Sequence, residues 1–213
     1  MVNRKARLLV EFTALFVAVP LWVAIALPAD RMPLAFFAVF AVGLVFLAIT
    51  PGVRRSEIWS GWRDLDARFL WLSLGGGAVA LLLIAWWFVP GMIFFLPQQM
   101  TGLWLLIMLL YPIVSALPQE IFFRQLFFRR YGGLFGREWL AVAVNAGVFG
   151  LAHLAYWNWM ALGLSTAGGI IFARAYLHHG GMVAAILLHA LLGMVVFTVG
   201  LGFFFYHGAI SGP

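Results

Sequence analysis

The feature that most constrains this chain is a series of long apolar runs separated by short polar connections. A helix needs about 20 apolar residues to cross a bilayer, and runs of that order occupy residues 8–29, 33–50, 69–90, 101–123, 138–157, 160–177 and 181–206. Of all residues 65% are hydrophobic and only 9% are charged, which excludes a water-soluble domain. The pattern predicts an all-α, polytopic integral membrane helical bundle of seven transmembrane helices, forming a single membrane domain over residues 1–213.

Glycines and other small residues bear on the number of helices and on how closely they pack. Gly193, Gly200 and Gly202 could divide the last run into two shorter helices, so eight helices is the alternative count. Small residues elsewhere let helix backbones approach each other. They lie at residues 75–77 and at Gly163, Ser165, Ala167, Gly168 and Gly169.

The basic residues fall almost entirely on one side of the predicted bundle. If the seven helices alternate in direction, Arg31 lies on one side and the other twelve Lys and Arg residues lie opposite. Because positively charged connections remain in the cytoplasm, this predicts a multi-pass cell-membrane protein with a cytoplasmic N-terminus. The net charge therefore reflects orientation and does not indicate a nucleic-acid partner. The twelve are Arg4, Lys5, Arg7, Arg54, Arg55, Arg63, Arg68, Arg124, Arg129, Arg130, Arg137 and Arg174.

Two segments near the predicted membrane surface each allow two interpretations. The first run follows basic residues as a signal peptide does, but it is long enough to span, and we interpret it as a retained anchor. The connection 54–68 mixes Trp59, Trp62, Ile58 and Leu65 with charges. It is either an amphipathic segment lying in the interface or an ordinary basic loop.

Ionisable residues inside the apolar runs require an explanation, because a charge there costs several kcal/mol unless it is paired or hydrated. Glu120 and Arg124 are four residues apart in the fourth run, where a helix places them on one face and the guanidinium can keep the carboxylate ionised. Pro118 cannot donate to the carbonyl of Val114, which predicts a kink beside the carboxylate. A purely structural ion pair is the alternative interpretation.

Two histidines lie in other runs. Asn145, Phe149 and His153 recur every four residues, so they share one stripe of the fifth helix. His189 has no polar neighbour within a turn, and its partners must come from other helices. One carboxylate and two imidazoles on three helices predict a functional site.

Amide hydrolysis is the chemistry that such a set supports. A carboxylate, or a His–Glu pair, takes a proton from water while a second imidazole stabilises the oxyanion. Cysteine is absent from the sequence, and Ser115 is out of phase with Glu120 and lies in no G-x-S-x-G turn. Zinc held by His153, His189 and Glu120 is the metal alternative, but no H-E-x-x-H helix favours it. A glutamic-type site without a cofactor is therefore expected.

Three strings in this order resemble the signature of the CPBP intramembrane endopeptidases, the CAAX-protease and bacteriocin-processing family that is also called Abi. The family pattern is Glu-Glu-x-x-x-Arg, then Phe-x-x-x-His, then His-x-x-x-Asn. The resemblance covers about residues 100–193. The matching strings here are 119–124, 149–153 and 189–193.

The resemblance implies residue roles that agree with the reading from the residues alone. Catalysis is expected from Glu120, His153 and His189, and support is expected from Arg124, Gln119, Asn145 and Phe149.

Two positions depart from the family pattern. Gln119 stands where the family has its first Glu, and Gly193 stands where it has Asn, whose amide the resemblance implies as an oxyanion donor. Either Glu120 does the work, with Gln119 or Asn145 supplying an amide, or the chain is a pseudoenzyme. The active interpretation is the expectation, because Glu120 and both histidines are present.

Function hypotheses from three classes follow. The first is an intramembrane endopeptidase of a bacterial cytoplasmic membrane that cuts a membrane-anchored or hydrophobic peptide near the cytoplasmic leaflet. The second is a non-catalytic pseudopeptidase, acting as a scaffold or immunity-type binding protein. The third is a proton-coupled transporter, although such folds usually contain repeats and none is visible in the sequence.

The depths of the site residues and the remaining histidines give two further expectations. His153 lies sixteen residues after Arg137, about 24 Å along a helix, which is deeper than Glu120 and His189. Either residues 131–140 include an interfacial segment or the fifth helix tilts strongly. His178, His179 and His207 are expected to be solvated and non-catalytic.

Overall fold

The computed structural model describes residues 4–54, 56, 59 and 61–205, and all regular structure within them is helical. Within these described residues, six helices are long and apolar enough to cross a membrane. Between the first and second of them lies the shorter α2, of 17 residues. The all-α prediction is therefore confirmed for the described residues. In chain order the helices are α1 (Arg4–Ala26), α2 (Met32–Ala48), α3 (Ala67–Phe88), α4 (Thr101–Leu134), α5 (Glu138–Tyr156), α6 (Trp159–His178) and α7 (Gly181–Thr198).

Each predicted apolar run corresponds to one of these helices, but two predicted ends are wrong. α4 continues to Leu134 instead of ending at residue 123. α7 ends at Thr198, after which the chain turns at Gly200 with φ of +93°. The glycines thus do end the helix, but Leu201–Phe205 forms only a short 3-10 helix that cannot span. Residue 206 and His207 lie outside the described residues.

Helix α4 changes type around the predicted break at Pro118. Pro112–Ala116 and Ile121–Tyr131 are π-helical, and the single α-helical turn Leu117–Glu120 lies between them. A π-helix bonds each residue to the fifth one along and often marks a functional site. Pro112 and Pro118 each lack an amide hydrogen, so neither can donate the bond that would continue a regular α-helix.

Polar contacts define two ends of the bundle. At one end, here called the basic end, Arg130 donates from Nη2 to Glu11 at 2.6 Å and from Nη1 to Thr50 at 3.2 Å. The ring of His178 meets Glu138 there at 2.6 Å. At the other end Trp157 donates to the carbonyl of Ala24 at 2.7 Å.

Two of the predicted basic-side residues need comment. Arg124 does not belong to the basic end, because its side chain is fully buried within α4. Arg55 lies outside the described residues.

The connection before α3 forms a capped junction at the basic end. Asp66 accepts a hydrogen bond from the Phe69 amide at 3.0 Å and one from His179 Nδ1 at 2.9 Å, and these contacts lower the pKa of Asp66 below its usual value. The His179 ring stacks on Phe69 at 3.7 Å, so His179 is a structural residue rather than a freely solvated one.

The choice between an amphipathic interfacial segment and a basic loop for residues 54–68 stays a prediction. Trp62 is exposed and begins a 3-10 turn, and Trp59 is exposed as well. Ile58 lies outside the described residues.

Small residues permit close packing at some of the predicted positions. A Cβ on Gly169 would lie 2.9 Å from Ala146 Cα, and one on Gly77 would lie 2.6 Å from a Leu192 methyl group. At Gly163 a Cβ would meet no atom within 4 Å. Close packing of α6 on α5 therefore depends on Gly169, whereas Gly163 lies in open space.

We predict that Gly169→Ala lowers the stability of the protein while Gly163→Ala does not. The new methyl group at position 169 would overlap the backbone of α5, and such overpacking costs about 1–3 kcal/mol. At position 163 the same methyl group has room, and alanine is the better helix former. Thermal unfolding in detergent micelles compares the two variants. Equal melting temperatures would contradict the assigned packing of α6 against α5.

Candidate functional site

Glu120 lies at the centre of a polar cluster that joins three helices. Its carboxylate is fully buried. His189 of α7 contacts Oε1 through Nδ1 at 2.7 Å, and Nε of Arg124 lies 3.1 Å from Oε2 in an ion pair whose geometry is not that of a hydrogen bond. The predicted contact between Glu120 and Arg124 on one helix face is therefore present. Glu120 of α4 is thus the partner from another helix that the sequence required for His189.

Arg124 is held from α5 as well as by Glu120. Its Nη1 donates to Asn145 Oδ1 at 2.9 Å, and Asn145 Nδ2 donates to the carbonyl of Phe123. The guanidinium carbon lies 4.8 Å from the centre of the Phe149 ring, within the range of a cation–π contact. The Asn145 amide is thus engaged at both ends, by Arg124 at its oxygen and by the Phe123 carbonyl at its nitrogen. An oxyanion role for Asn145 does not fit this arrangement.

The surroundings of His189 fix both the orientation and the tautomer of its ring. Phe172 stacks on the imidazole with ring centres 4.7 Å apart and planes 12° apart. An ionised carboxylate can only accept a hydrogen bond, so Nδ1 of His189 carries the hydrogen that bonds Glu120. Nε2 then has a free lone pair and can act as a base.

His153 is held in the same tautomer by a backbone group. It follows the α-helical part of α5 and begins a 3-10 turn, His153–Tyr156. Its Nδ1 lies 2.8 Å from the carbonyl oxygen of Phe149, which can only accept. In the neutral ring Nε2 is again an acceptor, so the predicted oxyanion role of His153 would require a protonated ring.

The two histidines share one cavity. It has a volume of about 290 Å³, and both imidazoles line it together with Phe149, whose ring centre is 4.8 Å from His153 and 5.5 Å from His189. Glu120 is not among the residues that line the cavity, because it lies behind His189. Water or substrate in the cavity therefore meets the imidazole first and the carboxylate only through it.

A second cavity of about 330 Å³ lies across a thin polar wall. Ser115, Gln119 and Tyr156 line both cavities. Gln119 Nε2 donates to Ser115 Oγ at 2.8 Å, and Gln119 Oε1 is buried without a hydrogen-bond partner among the described residues. Gln119 thus flanks the site. Apart from this wall, α1, α2, α4 and α5 give the second cavity an apolar lining.

The two histidines lie at different depths, although both line the first cavity. The contact of His178 with Glu138 brings the ends of α5 and α6 to one level. From the starts of their helices, His189 lies about 12 Å along α7 and His153 about 22 Å along α5. His153 therefore lies farther from the basic end of the bundle than His189 does. Within the segment 131–140 the structure has a single 3-10 turn, Gly132–Leu134, before α5 begins at Glu138.

The positions of His153, His189 and Glu120 do not favour the alternative in which they bind zinc. Among the residues that the structure describes, no group of three or more His, Cys, Asp or Glu is placed to hold a metal ion. Glu120 has one oxygen on His189 and the other beside Arg124, whose positive charge would oppose a cation. The predicted set of His153, His189 and Glu120 therefore does not converge on one point as three ligands.

Sequence reasoning missed several aromatic and hydroxyl residues around the site. Tyr111 and Tyr156 line the cavity beside the histidines, and Phe172 fixes the His189 ring. A tyrosine or phenylalanine in an apolar run carries no signal of its own. Only the spacing of Tyr111 four residues before Ser115, on the Gln119 face of α4, could have drawn attention to it.

Comparison with known families identifies the segment that carries this site. Residues 101–195 match the model of the Rce1-like family, described as type II CAAX prenyl endopeptidase Rce1-like. The match contains every residue of the cluster, and it confirms the resemblance. This segment is therefore similar to the Rce1-like endopeptidases of the CPBP family. Neither the comparison with curated proteins nor that with solved structures found a significant match.

We predict that Arg124→Met destabilises the protein far more than Arg7→Met. Both arginines face a glutamate four residues away, but the pair Arg124–Glu120 is fully buried and the side chain of Arg7 is 64% exposed. Removing one partner of a buried pair costs about 3–5 kcal/mol, and an exposed pair contributes about 0–1 kcal/mol. Thermal unfolding measures both changes. Glu120→Gln combined with Arg124→Met should recover part of the loss, and equal effects of the two single variants would contradict the buried ion pair.

Proposed function

We propose that the chain is a glutamic-type intramembrane endopeptidase that hydrolyses a peptide bond of a membrane-anchored or hydrophobic peptide substrate. The observation that carries the proposal is the 2.7 Å contact between buried Glu120 and His189, made behind a cavity that His153 also lines. A carboxylate that fixes the tautomer of an imidazole is a recurrent device for making that imidazole a base. The family match over residues 101–195 supports the same class of reaction.

The proposed chemistry assigns the proton transfers to His189. Nε2 takes a proton from a water molecule while the water oxygen bonds to the substrate carbonyl carbon and the carbonyl π electrons move to oxygen. Glu120 stabilises the imidazolium that forms, and Arg124 limits the cost of burying the carboxylate. The C–N bond then breaks, and His189 returns the proton to the leaving nitrogen. A carboxylic acid and an amine result, and no redox partner or cofactor is needed.

His153 is proposed to orient the attacking water. Its Nε2 is an acceptor in the tautomer that the Phe149 carbonyl imposes. It can hold one hydrogen of the water while His189 removes the other. Positioning of this kind lowers the entropic part of the barrier. It also explains why a second imidazole faces the same cavity.

The substrate and its location follow from the apolar surroundings. We propose that an apolar segment of the substrate occupies the second cavity, with the scissile bond beyond Gln119 in the first. The family description names prenyl substrates; for this chain we propose a processed peptide or membrane protein. We further propose seven spans, with α2 as the second, in a bacterial cytoplasmic membrane. The basic end would then face the cytoplasm.

A pseudopeptidase is the second candidate, and Gln119 is the observation that favours it. An amide occupies the position of the family's first glutamate, and its oxygen is buried without a partner among the described residues. A protein that only holds a helix, as a scaffold or an immunity-type binding protein, could retain the same cavity.

We predict that Glu120→Gln and His189→Ala each lower the rate of cleavage by at least about 10²-fold, the contribution expected of a general base. Glu120→Gln preserves the shape of the side chain while removing its charge. Cleavage of fluorogenic membrane-anchored peptides in proteoliposomes measures the rates at matched expression. His178→Ala is the control, since His178 is exposed and pairs with Glu138 at the basic end. Full activity in Glu120→Gln would contradict the proposed mechanism.

Variants of Gln119 separate the active protein from a pseudopeptidase. Gln119→Ala should cost less activity than Glu120→Gln, because a carboxamide does not titrate and Gln119 only flanks the site. Gln119→Glu rebuilds the paired carboxylates of the family signature. The same peptide assay is used for both. An inert wild type together with an active Gln119→Glu variant would establish the pseudopeptidase.

We predict that cleavage persists after exhaustive chelation and that active preparations hold less than one equivalent of zinc. The physical reason is that Glu120 is committed to His189 and Arg124 and is not free to complete a ligand set. Elemental analysis and rate measurements before and after chelation provide the check. Activity that is lost with stoichiometric zinc and restored when zinc returns would overturn the metal-free mechanism.

A further inference from the structure

Position 193 of α7 is open to the cavity but has no room for a side chain. Gly193 lines the cavity, and a Cβ built there would overlap both the ring and the hydroxyl of Tyr111 from α4. The volume that a larger residue at 193 would occupy is therefore filled by Tyr111. The phenol of Tyr111 on α4 thus occupies the space that a side chain at position 193 on α7 would take.

The ring of Tyr111 is fixed beside the proposed base. It meets His189 edge-to-face with ring centres 6.0 Å apart, and it meets Phe197 in the same manner at 5.5 Å. Two such contacts, to residues eight positions apart on α7, leave the phenol little freedom. The hydroxyl of Tyr111 is consequently held at the cavity wall next to Gly193.

A chain of polar groups can direct the hydrogen of this hydroxyl into the cavity. Gln119 Nε2 donates to Ser115 Oγ at 2.8 Å, and Ser115 and Tyr111 lie one turn apart on α4 and line the same cavity. If Ser115 in turn donates to that oxygen, the Tyr111 hydrogen is left for a partner in the cavity. Hydrogen bonds in such a chain polarise and strengthen one another.

The proposed hydrolysis needs a hydrogen-bond donor that neither histidine nor Asn145 provides. Attack by water puts a negative charge on the substrate carbonyl oxygen, and that charge needs a preorganised hydrogen-bond donor. Neither histidine can supply it while neutral, because each Nδ1 hydrogen is used on Glu120 or on the Phe149 carbonyl. Asn145 is turned away toward Arg124.

We propose that the Tyr111 hydroxyl is the oxyanion donor of this site, and that Gly193 is required because it leaves room for the phenol. The proposal rests on the hydrolase function given above. The donor role adds no atom to the reaction: the Tyr111 O–H bond stays intact, and the hydrogen bond to the carbonyl oxygen strengthens as charge develops there. Tyr111 thus joins His189 as a residue that touches the reacting atoms.

Tyr111→Phe tests this role with the least disturbance, because it removes one oxygen and keeps the ring contacts. The expected result is a fall in kcat of about 10²–10³-fold, the effect of losing one oxyanion donor, with KM and the melting temperature little changed. Tyr176→Phe is the matched control, since its hydroxyl donates to Gln125 at 3.0 Å outside the cavity. A merely structural role for Tyr111 would instead lower the melting temperature and leave kcat per folded molecule intact.

A rebuilt donor provides the complementary test. Gly193→Asn alone should destabilise the protein, because the phenol occupies the space. In Tyr111→Ala combined with Gly193→Asn the amide has room, and it should recover at least about 10-fold of the rate lost in Tyr111→Ala, a fraction of one oxyanion donor's effect.

Three outcomes would overturn the donor role, and they are distinguishable. A wild-type kcat in Tyr111→Phe would contradict the donor role of Tyr111 and leave the proposed hydrolase function intact. A large loss in Tyr156→Phe with none in Tyr111→Phe would assign the donor to Tyr156. If the wild-type protein cleaves none of the peptides, both the proposed hydrolase function and the donor role of Tyr111 are contradicted.

Discussion

The contact of Glu120 with His189, supported by Arg124, is the interaction on which the rest of the structure depends. A carboxylate that is fully buried in an apolar bundle is costly unless opposite charge and hydrogen bonds compensate it. Here α4 supplies both the acid and the guanidinium, and α7 supplies the imidazole. α5 completes the set through Asn145, which binds the guanidinium and the Phe123 carbonyl. Three helices are thereby fixed relative to one another at one depth.

The same constraint explains why α4 is irregular where it carries the site. The carbonyl of Phe123 lies at the start of the π-helical segment and is bonded by Asn145 of another helix. Backbone that departs from α-helical geometry is tolerated at membrane depth when protein groups satisfy it. Asn145 therefore stabilises both the irregular backbone of α4 and the buried ion pair. The cavity lies on the side of the site that His153 and His189 line.

The sequence predicted the helices and the polar cluster because both follow from the cost of placing polar groups in lipid. Runs of apolar residues correspond to helices, and Glu120, Arg124 and His189 meet since none could be buried alone. It did not predict the end of α4 at Leu134, because the π-helical segment contains Arg129 and Arg130 and no longer reads as apolar. It left open whether Gln119 or Asn145 supplies the amide of the site, and the structure shows that the Asn145 amide is bonded to Arg124 and to the Phe123 carbonyl. The role of Gly193 could not be predicted from the sequence. Only the three-dimensional structure shows that the phenol of Tyr111, from another helix, fills the volume of a side chain at this position.

The central claim is that water bound between His153 and His189, activated through Glu120, cleaves peptide bonds within a membrane. The most direct measurement incubates wild-type protein and the Glu120→Gln variant with membrane proteins in liposomes prepared in ¹⁸O-labelled water, and identifies new C-termini by mass spectrometry. The account predicts peptides carrying one ¹⁸O atom at a new C-terminus with the wild type and their absence with the variant. Identical sets of labelled peptides from the two proteins would contradict it.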